Sequence, residues 1–169
     1  TQQAAKWMQQ LIGEMLTLAD VERPEAPLEL TQVDIASVVM KAALELESVA
    51  YEKGVALDTE LPDSLLGRSS ESYLQRIAAS LMENAIKYEP GGGQVLVTLT
   101  RSRRHAILEV RNRSTHISQE DLPHVFDRFY RSDKSRQSKT GGHGLGLAIT
   151  KEMVTKLGGT VQAGSGEDG

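Results

Sequence analysis

The sequence predicts an α/β fold, in which helices alternate with strands. Helical apolar patterns recur along the 169 residues, and between them lie runs in which apolar and polar residues alternate, as in half-buried strands. Two β-rich runs, residues 94–100 and 105–111, are joined by a short basic turn and predict a hairpin. A glycine cluster then leads into a last apolar helical pattern, which indicates a ligand-binding turn.

Composition narrows the classes of protein to which the chain can belong. Its apolar and charged fractions, 39% and 25%, are typical of soluble globular domains. The net charge of −4 gives no electrostatic case for binding nucleic acid, and the absence of cysteine removes disulfides and thiolate metal sites. No apolar run approaches the roughly 18 residues that cross a bilayer. We expect a fragment of a longer protein whose other parts carry membrane segments.

The first helix has an apolar stripe typical of helix pairing. Its apolar residues recur at alternating steps of four and three, as in a coiled coil or bundle. They are Ala4, Met8, Leu11, Met15 and Leu18. The stripe fits either an intermolecular seam or a helix packed on its own domain. The proline-containing segment 23–27 separates this helix from the rest and favours the first alternative.

Two more helices and a strand follow. Asp34 is placed to cap a second helix, which Gly54 ends. Alternation over residues 55–61 predicts a half-buried strand. A third helix begins near Ser69 or Ser70 and carries an unbroken apolar stripe through four turns.

Asn84 interrupts the apolar stripe of the third helix, which indicates a specific role for its side chain. A helical asparagine costs a few tenths of a kcal/mol in propensity, and more if its amide is buried unpaired. Its amide oxygen is a hard neutral ligand suited to Mg²⁺, and one turn later Lys87 can reach the same phosphates while Tyr88 offers a ring edge and a hydroxyl. The alternative is a helix-end amide bonded to backbone beside a surface lysine.

The glycine cluster at residues 141–146 is typical of a phosphate-binding turn. Glycine lets backbone amides approach a ligand, and the start of the following helix adds unpaired N–H groups and a positive dipole end. The cluster matches neither a P-loop nor a dinucleotide fingerprint. The polar segment 131–140 before it predicts a mobile lid. The simpler alternative is a tight turn that binds nothing.

The remaining elements of the C-terminal half are short. Ser118 and Asp121 are placed to cap a brief helix that ends near Phe126. The helix after the glycine cluster is expected over residues 144–157, and a last strand is expected from Thr160.

Three motifs together resemble those of the sensor histidine kinases. Residues 81–90 (LMENAIKYEP) resemble the N box of that family. Residues 126–131 (FDRFYR) resemble its F box, and residues 142–147 (GHGLGL) resemble its G2 box. Their order and spacing also agree, over residues from about 30 to 164. The resemblance implies the catalytic and ATP-binding domain of a two-component kinase, a two-layer α/β sandwich. In it a mixed sheet of about five strands carries about three helices on one face, with an N-terminal helix added.

The resemblance also implies the residues of an ATP site. ATP would lie between the helix of Asn84 and the lid, with Asn84 on Mg²⁺ and the glycine amides against the triphosphate. The implied ATP-binding residues are Asn84, Lys87, Tyr88, Asn112, Ile117, Phe126, Arg128, Arg131, Gly142, His143, Gly144, Leu145, Gly146 and Leu147.

The resemblance divides the chain into three parts. Residues 1–22 are similar to the second helix of the dimerisation and phosphoacceptor hairpin, 23–30 form a linker, and 31–169 form the catalytic domain with a truncated C-terminal strand. The implied partners are a response regulator and, through the hairpin of the parent, a second copy, on the cytoplasmic face of a membrane. Because the phosphorylated histidine lies outside this fragment, it should not autophosphorylate alone. Its own four histidines are taken as surface or loop residues: His105, His116, His124 and His143.

One motif departs from the family pattern. The G1 box reads Asp-x-Gly-x-Gly, and its aspartate accepts a hydrogen bond from the adenine amino group; here Asn112, Ser114 and His116 stand in those places. Losing charge assistance costs on the order of 1 kcal/mol, or about fivefold to tenfold in ATP affinity. Two interpretations follow, an active site with weaker ATP binding or a degenerate scaffold. A third, a serine-phosphorylating ATPase of anti-sigma type, is disfavoured by the first helix and the F box.

Overall fold

The computed structural model of the chain describes residues 1–25, 27–114, 116–132 and 142–166. The chain packs as two compact units. The helical unit comprises Thr1–Pro27 with Ser118–Gly164, and the sheet unit comprises Leu28–Ile117 with Ser165–Gly169.

The sheet unit contains the strands and two of the helices. The helices are α2 (Ile35–Lys53) and α3 (Glu71–Tyr88). The strands are β1 (Thr31–Asp34), β2 (Ala56–Glu60), β3 (Leu66–Ser69), β4 (Gln94–Ser102) and β5 (His105–Asn112). Strands β1 and β3 pair antiparallel, while β4 lies between a parallel β2 and an antiparallel β5. The expected α/β fold with a mixed sheet is therefore confirmed, although the five described strands form two sheets and not one.

The core of the sheet unit lies between the sheet and the two helices. Strand β4 turns alternate residues inward, and Val95, Val97 and Leu99 are almost completely buried. Helices α2 and α3 pack on each other, and Met82 and Ile86 of α3 are the largest fully buried apolar side chains there. Each such burial stabilises the fold by about 1.5–3 kcal/mol. The last turns of α3 are thereby anchored.

The predicted caps of α2 and α3 are present. The Asp34 carboxylate accepts from the backbone nitrogens of Ala36 at 3.1 Å and Leu65 at 2.9 Å. Gly54 ends α2 in the left-handed conformation, with φ of 73°. The hydroxyl of Ser70 accepts from the backbone nitrogen of Tyr73 at 3.4 Å, so α3 begins where the sequence predicts.

The helical unit is built on α1 (Gln2–Glu22) and α4 (Gly146–Lys156). Leu18 and Val21 of α1 are buried, and α4 packs along this helix. The Lys156 ammonium donates to the carbonyl oxygens of Val21 and Arg23, each at 3.2 Å. The stripe before Leu18 stays half-exposed at Met8 and Met15. Among the described residues, packing therefore buries the C-terminal end of the predicted stripe and leaves most of the rest exposed.

The structure agrees to different degrees with three sequence predictions for the C-terminal half. Ser118 does accept from the backbone nitrogen of Asp121 at 3.1 Å, and a single 3-10 turn, Leu122–His124, follows. Helix α4 begins at Gly146 and not at residue 144, because Gly144 has a left-handed φ of 76°. The prediction of a strand from Thr160 is wrong, because residues 160–166 form no strand. Among the described residues, no helix has the length and apolar content of a membrane span.

Candidate functional site

Three predicted site residues lie on the last turns of α3, in the sheet unit. Asn84 and Lys87 are half-buried there, and Tyr88 is 37% exposed. The Lys87 ammonium lies 5.4 Å from the centre of the Tyr88 ring, within reach of a cation–π interaction. The helix thus brings together an amide oxygen donor, a cation and an aromatic ring.

Sequence reasoning missed Glu83, which directly precedes Asn84. Glu83 is an exposed residue, yet desolvation of its carboxyl by the surrounding protein raises its pKa. Together with its place beside the predicted metal ligand Asn84, this shift makes Glu83 a candidate site residue. Its position next to Asn84 was the signal in the sequence.

The segment that replaces the G1 box is tied to α3. Nδ2 of Asn112 donates to the carbonyl oxygen of Ala85 at 2.6 Å. The backbone nitrogen of Ser114 donates to Oε1 of Glu89 at 2.9 Å. Ile117 donates its backbone N–H to Oγ of Ser165 at 3.1 Å, and His116 is exposed. Two of the three substituted residues, Asn112 and Ser114, are therefore held by specific hydrogen bonds.

Glu89, at the C-terminal cap of α3, is the centre of this network, and the sequence analysis did not single it out. The residue is 0% exposed. Burial raises the pKa of its carboxyl, but hydrogen bonds from Ser114, Asn112 and Gln94 outweigh burial and hold that pKa below its usual range. A glutamate between a helix end and a proline was the only sequence signal.

Lys53 completes the polar cluster behind the end of α3. Its ammonium donates to the carbonyl oxygen of Ile86 at 2.7 Å and to that of Lys87. These are carbonyls that a helix end leaves without partners. Burial lowers the pKa of Lys53, and the negative charge of Glu89 partly offsets that effect. The cluster fixes the end of the helix that carries Asn84.

The glycine turn lies in the helical unit. Gly144 has φ of 76°, its carbonyl oxygen accepts from the backbone nitrogen of Phe129 at 3.0 Å, and a β-carbon at residue 144 would lie 2.8 Å from the Tyr130 carbonyl oxygen. Only glycine fits this position without strain. Leu145 is fully buried and Gly146 exposed, and no side chain of the described residues caps the start of α4. The start of α4 also carries the positive end of the helix dipole, which favours an anion nearby.

His143 lies in the loop before α4, as expected for a loop histidine, but it is buried and not at the surface. Its side chain is 1% exposed, and its ring packs on Trp7 of α1 with 4.5 Å between ring centres. Nδ1 lies 3.2 Å from a carboxylate oxygen of Glu14, and Nε2 lies 3.0 Å from the Trp7 carbonyl oxygen. Because the ring is engaged by α1, any phosphate contact from His143 would come from its backbone.

The remaining predicted residues belong to the helical unit. Phe126, Arg131, Gly142 and Leu147 are half-buried, and Arg128 is exposed. Arg128 pairs with the carboxylate of Glu22, which ties this segment to the end of α1. Most of the predicted lid, with Gly141, lies outside the described residues.

The donors present fit a magnesium ion that is held chiefly by a nucleotide. Among the described residues, no cluster of three histidine or acidic side chains is arranged as a metal site. Mg²⁺ commonly keeps its waters and takes one or two protein oxygens together with substrate phosphates. A single amide oxygen, from half-buried Asn84, matches that donor set.

Comparisons with known proteins agree with the motifs. The family described as "Histidine kinase-, DNA gyrase B-, and HSP90-like ATPase" matches residues 69–169. The sensor-like histidine kinase SenX3 of Mycobacterium tuberculosis (strain ATCC 25618 / H37Rv) is 34% identical over 157 residues, which is 92% of this chain and 38% of SenX3. The chain therefore spans about two fifths of that relative.

Solved structures show the same fold. Full-length ShkA in complex with AMPPNP has a TM-score of 0.79 at 26% identity, over 94% of this chain and 33% of that one. The histidine kinase ThkA in complex with the response regulator protein TrrA has a TM-score of 0.78 at 16% identity, over 99% of this chain and 46% of that one. The second likeness concerns the fold alone.

Proposed function

This chain belongs to the family of histidine kinase-, DNA gyrase B- and HSP90-like ATPases, and from that membership we propose that it is the ATP-binding catalytic domain of a sensor histidine kinase. Its reaction would transfer the γ-phosphoryl group of ATP to a histidine on the first helix of the dimerisation hairpin. Similarity to SenX3 over 92% of the chain supports the kinase assignment within the wider family.

The observation that carries the proposal is the end of α3. Asn84, Lys87 and Tyr88 lie within its last two turns, on a helix end that buried residues and Lys53 hold in place. We assign Asn84 to Mg²⁺ and Lys87 to the phosphates. Mg²⁺, when bound, neutralises charge on the phosphates and favours phosphoryl transfer.

The glycine turn supplies the other phosphate contacts in this proposal. The backbone amides of Gly142, Gly144 and Gly146 are assigned to the triphosphate, because residues 142–147 resemble the G2 box and the positive end of the α4 dipole lies there. Arg131 is a further candidate for phosphate contact. Arg128 can serve only if it leaves its pairing with Glu22.

The larger assembly is proposed by analogy with the relatives. Residues 1–22 would be the second helix of a dimerisation hairpin, 23–30 a linker and 31–169 the catalytic domain. The phosphoryl group would then pass to an aspartate of a response regulator, by analogy with ThkA, whose structure was solved in complex with the response regulator protein TrrA. The parent would be a membrane protein with this domain on the cytoplasmic side.

A nucleotide titration with and without Mg²⁺ tests the proposed site. Asn84→Ala removes the amide ligand, and we expect Mg-ATP to bind at least tenfold more weakly while metal-free ATP is little affected. Gln3→Ala, which removes an exposed amide on α1, is the matched control and should bind as the wild type does. Equal affinities in wild type and Asn84→Ala contradict the assignment, and the absence of any nucleotide binding favours the degenerate scaffold.

A further inference from the structure

The side chain of His143 connects the glycine turn to helix α1. Residue 143 lies between Gly142 and Gly144, whose backbone amides are assigned above to the triphosphate. Its imidazole is 1% exposed and packs on the Trp7 ring, with 4.5 Å between ring centres. A side chain in the middle of a phosphate-type turn is therefore buried against a helix from the other end of the chain.

Two acceptors of α1 hold this imidazole. Nδ1 lies 3.2 Å from Oε2 of Glu14, and Nε2 lies 3.0 Å from the carbonyl oxygen of Trp7. The other carboxylate oxygen of Glu14 accepts from the side-chain amide of Gln10 at 3.2 Å, so the carboxylate is itself held. Because a buried nitrogen without a partner is costly, the ring keeps its place only while α1 supplies these acceptors.

A fixed side chain at residue 143 also fixes the backbone beside it. The adjoining Gly144 has φ of 76° and, as a glycine, no side chain that selects this conformation. Its carbonyl oxygen accepts from the backbone nitrogen of Phe129 at 3.0 Å, which holds the other side of the turn. The direction of the backbone amides in the turn therefore depends on the contact of His143 with α1, and not only on the residues of the turn.

We propose that His143 and Glu14 are positioning residues that make helix α1 part of the phosphate-binding turn. The contact of α1 with the imidazole orients the backbone amides of residues 142–144 toward the triphosphate. A bound triphosphate in turn holds the imidazole on α1, because the coupling between two sites is reciprocal. The inference rests on the nucleotide binding proposed above.

The first experiment removes the carboxylate acceptor from α1 and measures Mg-ATP affinity by calorimetry. We expect Glu14→Ala to bind Mg-ATP about fivefold to tenfold more weakly than the wild type, as one lost hydrogen bond allows. Loss of a negative charge would by itself favour an anionic ligand. The expected change therefore has the opposite sign from a simple electrostatic effect.

Two further variants of the same helix serve as controls. Glu14→Gln keeps an acceptor for the imidazole and should bind Mg-ATP within about threefold of the wild type. Asp20→Ala removes a carboxylate that pairs with Arg23 and not with the turn, so it should bind as the wild type does. Equal affinities in wild type and Glu14→Ala, or an equal loss in Asp20→Ala, overturn the proposal.

A double-variant cycle tests whether Glu14 acts through the imidazole. His143→Ala removes the ring, and we expect its loss of Mg-ATP affinity to be at least as large as that of Glu14→Ala. In the double variant, Glu14→Ala should weaken binding by no more than about twofold beyond His143→Ala alone, because the partner of Glu14 is already gone. Losses that multiply would show that the two residues act independently, and they overturn the proposal.

The reciprocal effect is measured at Trp7, the single tryptophan of the chain. Saturating Mg-ATP should change the Trp7 fluorescence of the wild type, because the bound phosphate stabilises the imidazole against the indole ring. In His143→Ala the same saturation should leave this fluorescence unchanged. A signal that responds equally in both proteins, or a wild type that binds Mg-ATP without any response, overturns the coupling.

A measurement without nucleotide keeps this inference distinct from the proposed function. In nitrogen-15 NMR, the backbone amide of Gly144 should exchange with water about fivefold faster in Glu14→Ala than in the wild type, and Asp20→Ala should leave this exchange unchanged. Equal exchange in all three proteins overturns the role of α1 in positioning the turn. If the wild type binds no Mg-ATP, the proposed function fails, while the exchange difference still supports the positioning of the turn by Glu14 and His143.

Discussion

The imidazole of His143 shows that a residue within a motif typical of nucleotide binding can have a packing role. Its two nitrogens face the Glu14 carboxylate and the Trp7 carbonyl oxygen, both of which are acceptors. Both contacts are hydrogen bonds only when both nitrogens carry a proton. The partners lie 129 and 136 residues earlier in the chain, so local sequence gives no hint of them.

Gly144 is a second residue whose role follows from local geometry. We expect Gly144→Ala to lower the free energy of unfolding by about 2 kcal/mol, because alanine disfavours a positive φ. The added methyl group would also press on the Tyr130 carbonyl oxygen, 2.8 Å away. Urea unfolding measures the loss. Gly164→Ala is the control, since a β-carbon there meets no atom within 4 Å, and an equal loss in both variants would contradict the argument.

The carboxylate of Glu89 predicts a pH dependence of stability. Its folded pKa lies below the ordinary value of 4.5, so its stabilising contribution is complete above that value and is lost as the pH falls through the folded pKa. We expect Glu89→Gln to lower the unfolding free energy by about 1–3 kcal/mol at pH 7 and by progressively less below about pH 4. Urea titrations at several pH values test this. A difference that stays constant from pH 7 to pH 3 would be the contrary result.

Helices were easier to predict than short strands. Helix α3 has a capping serine and four turns of apolar stripe, and it was found with the correct start. Strands β1 and β3 have four residues each, which is too short for a period to show, and in them only Val33 and Ser69 are buried. Their pairing joins Thr31 to Ser69, so it depends on distant sequence.

A substitution on the exposed face of helix α1 tests whether that face is free of a packing partner. Gly13 lies in the middle of this helix, and a β-carbon there meets no atom within 4 Å. We expect Gly13→Ala to stabilise the protein by about 0.5–1 kcal/mol, since alanine loses less backbone entropy than glycine on forming a helix. Thermal unfolding at several protein concentrations measures this. A destabilisation that grows with concentration would indicate instead that a second copy packs against residue 13.

At the scale of the whole molecule, the sequence predicted what local chemistry dictates. The fold class and the helix caps follow from periodicity and from residues such as Asp34 and Gly54. The roles of Glu89, Lys53 and His143 did not follow, because each depends on acceptors or donors brought near only by the fold. The site residues rest on a resemblance of motifs, and periodicity alone would not have found them.

The grouping of α1 with α4 in the helical unit gives a last prediction. Leu18→Ala removes a buried side chain from the packing of α1 on α4, and such changes cost about 2–5 kcal/mol. Because α1 makes its helix contacts with α4, we expect amide hydrogen exchange to speed up in both helices. Strand β4 contributes side chains to the core of the sheet unit, so its backbone amides should keep their protection from hydrogen exchange. Met15→Ala, at a residue 50% exposed, is the matched control and should change exchange little. If Leu18→Ala deprotects β4 as strongly as α4, the two units unfold as one, and the stability of the sheet unit depends on the first helix.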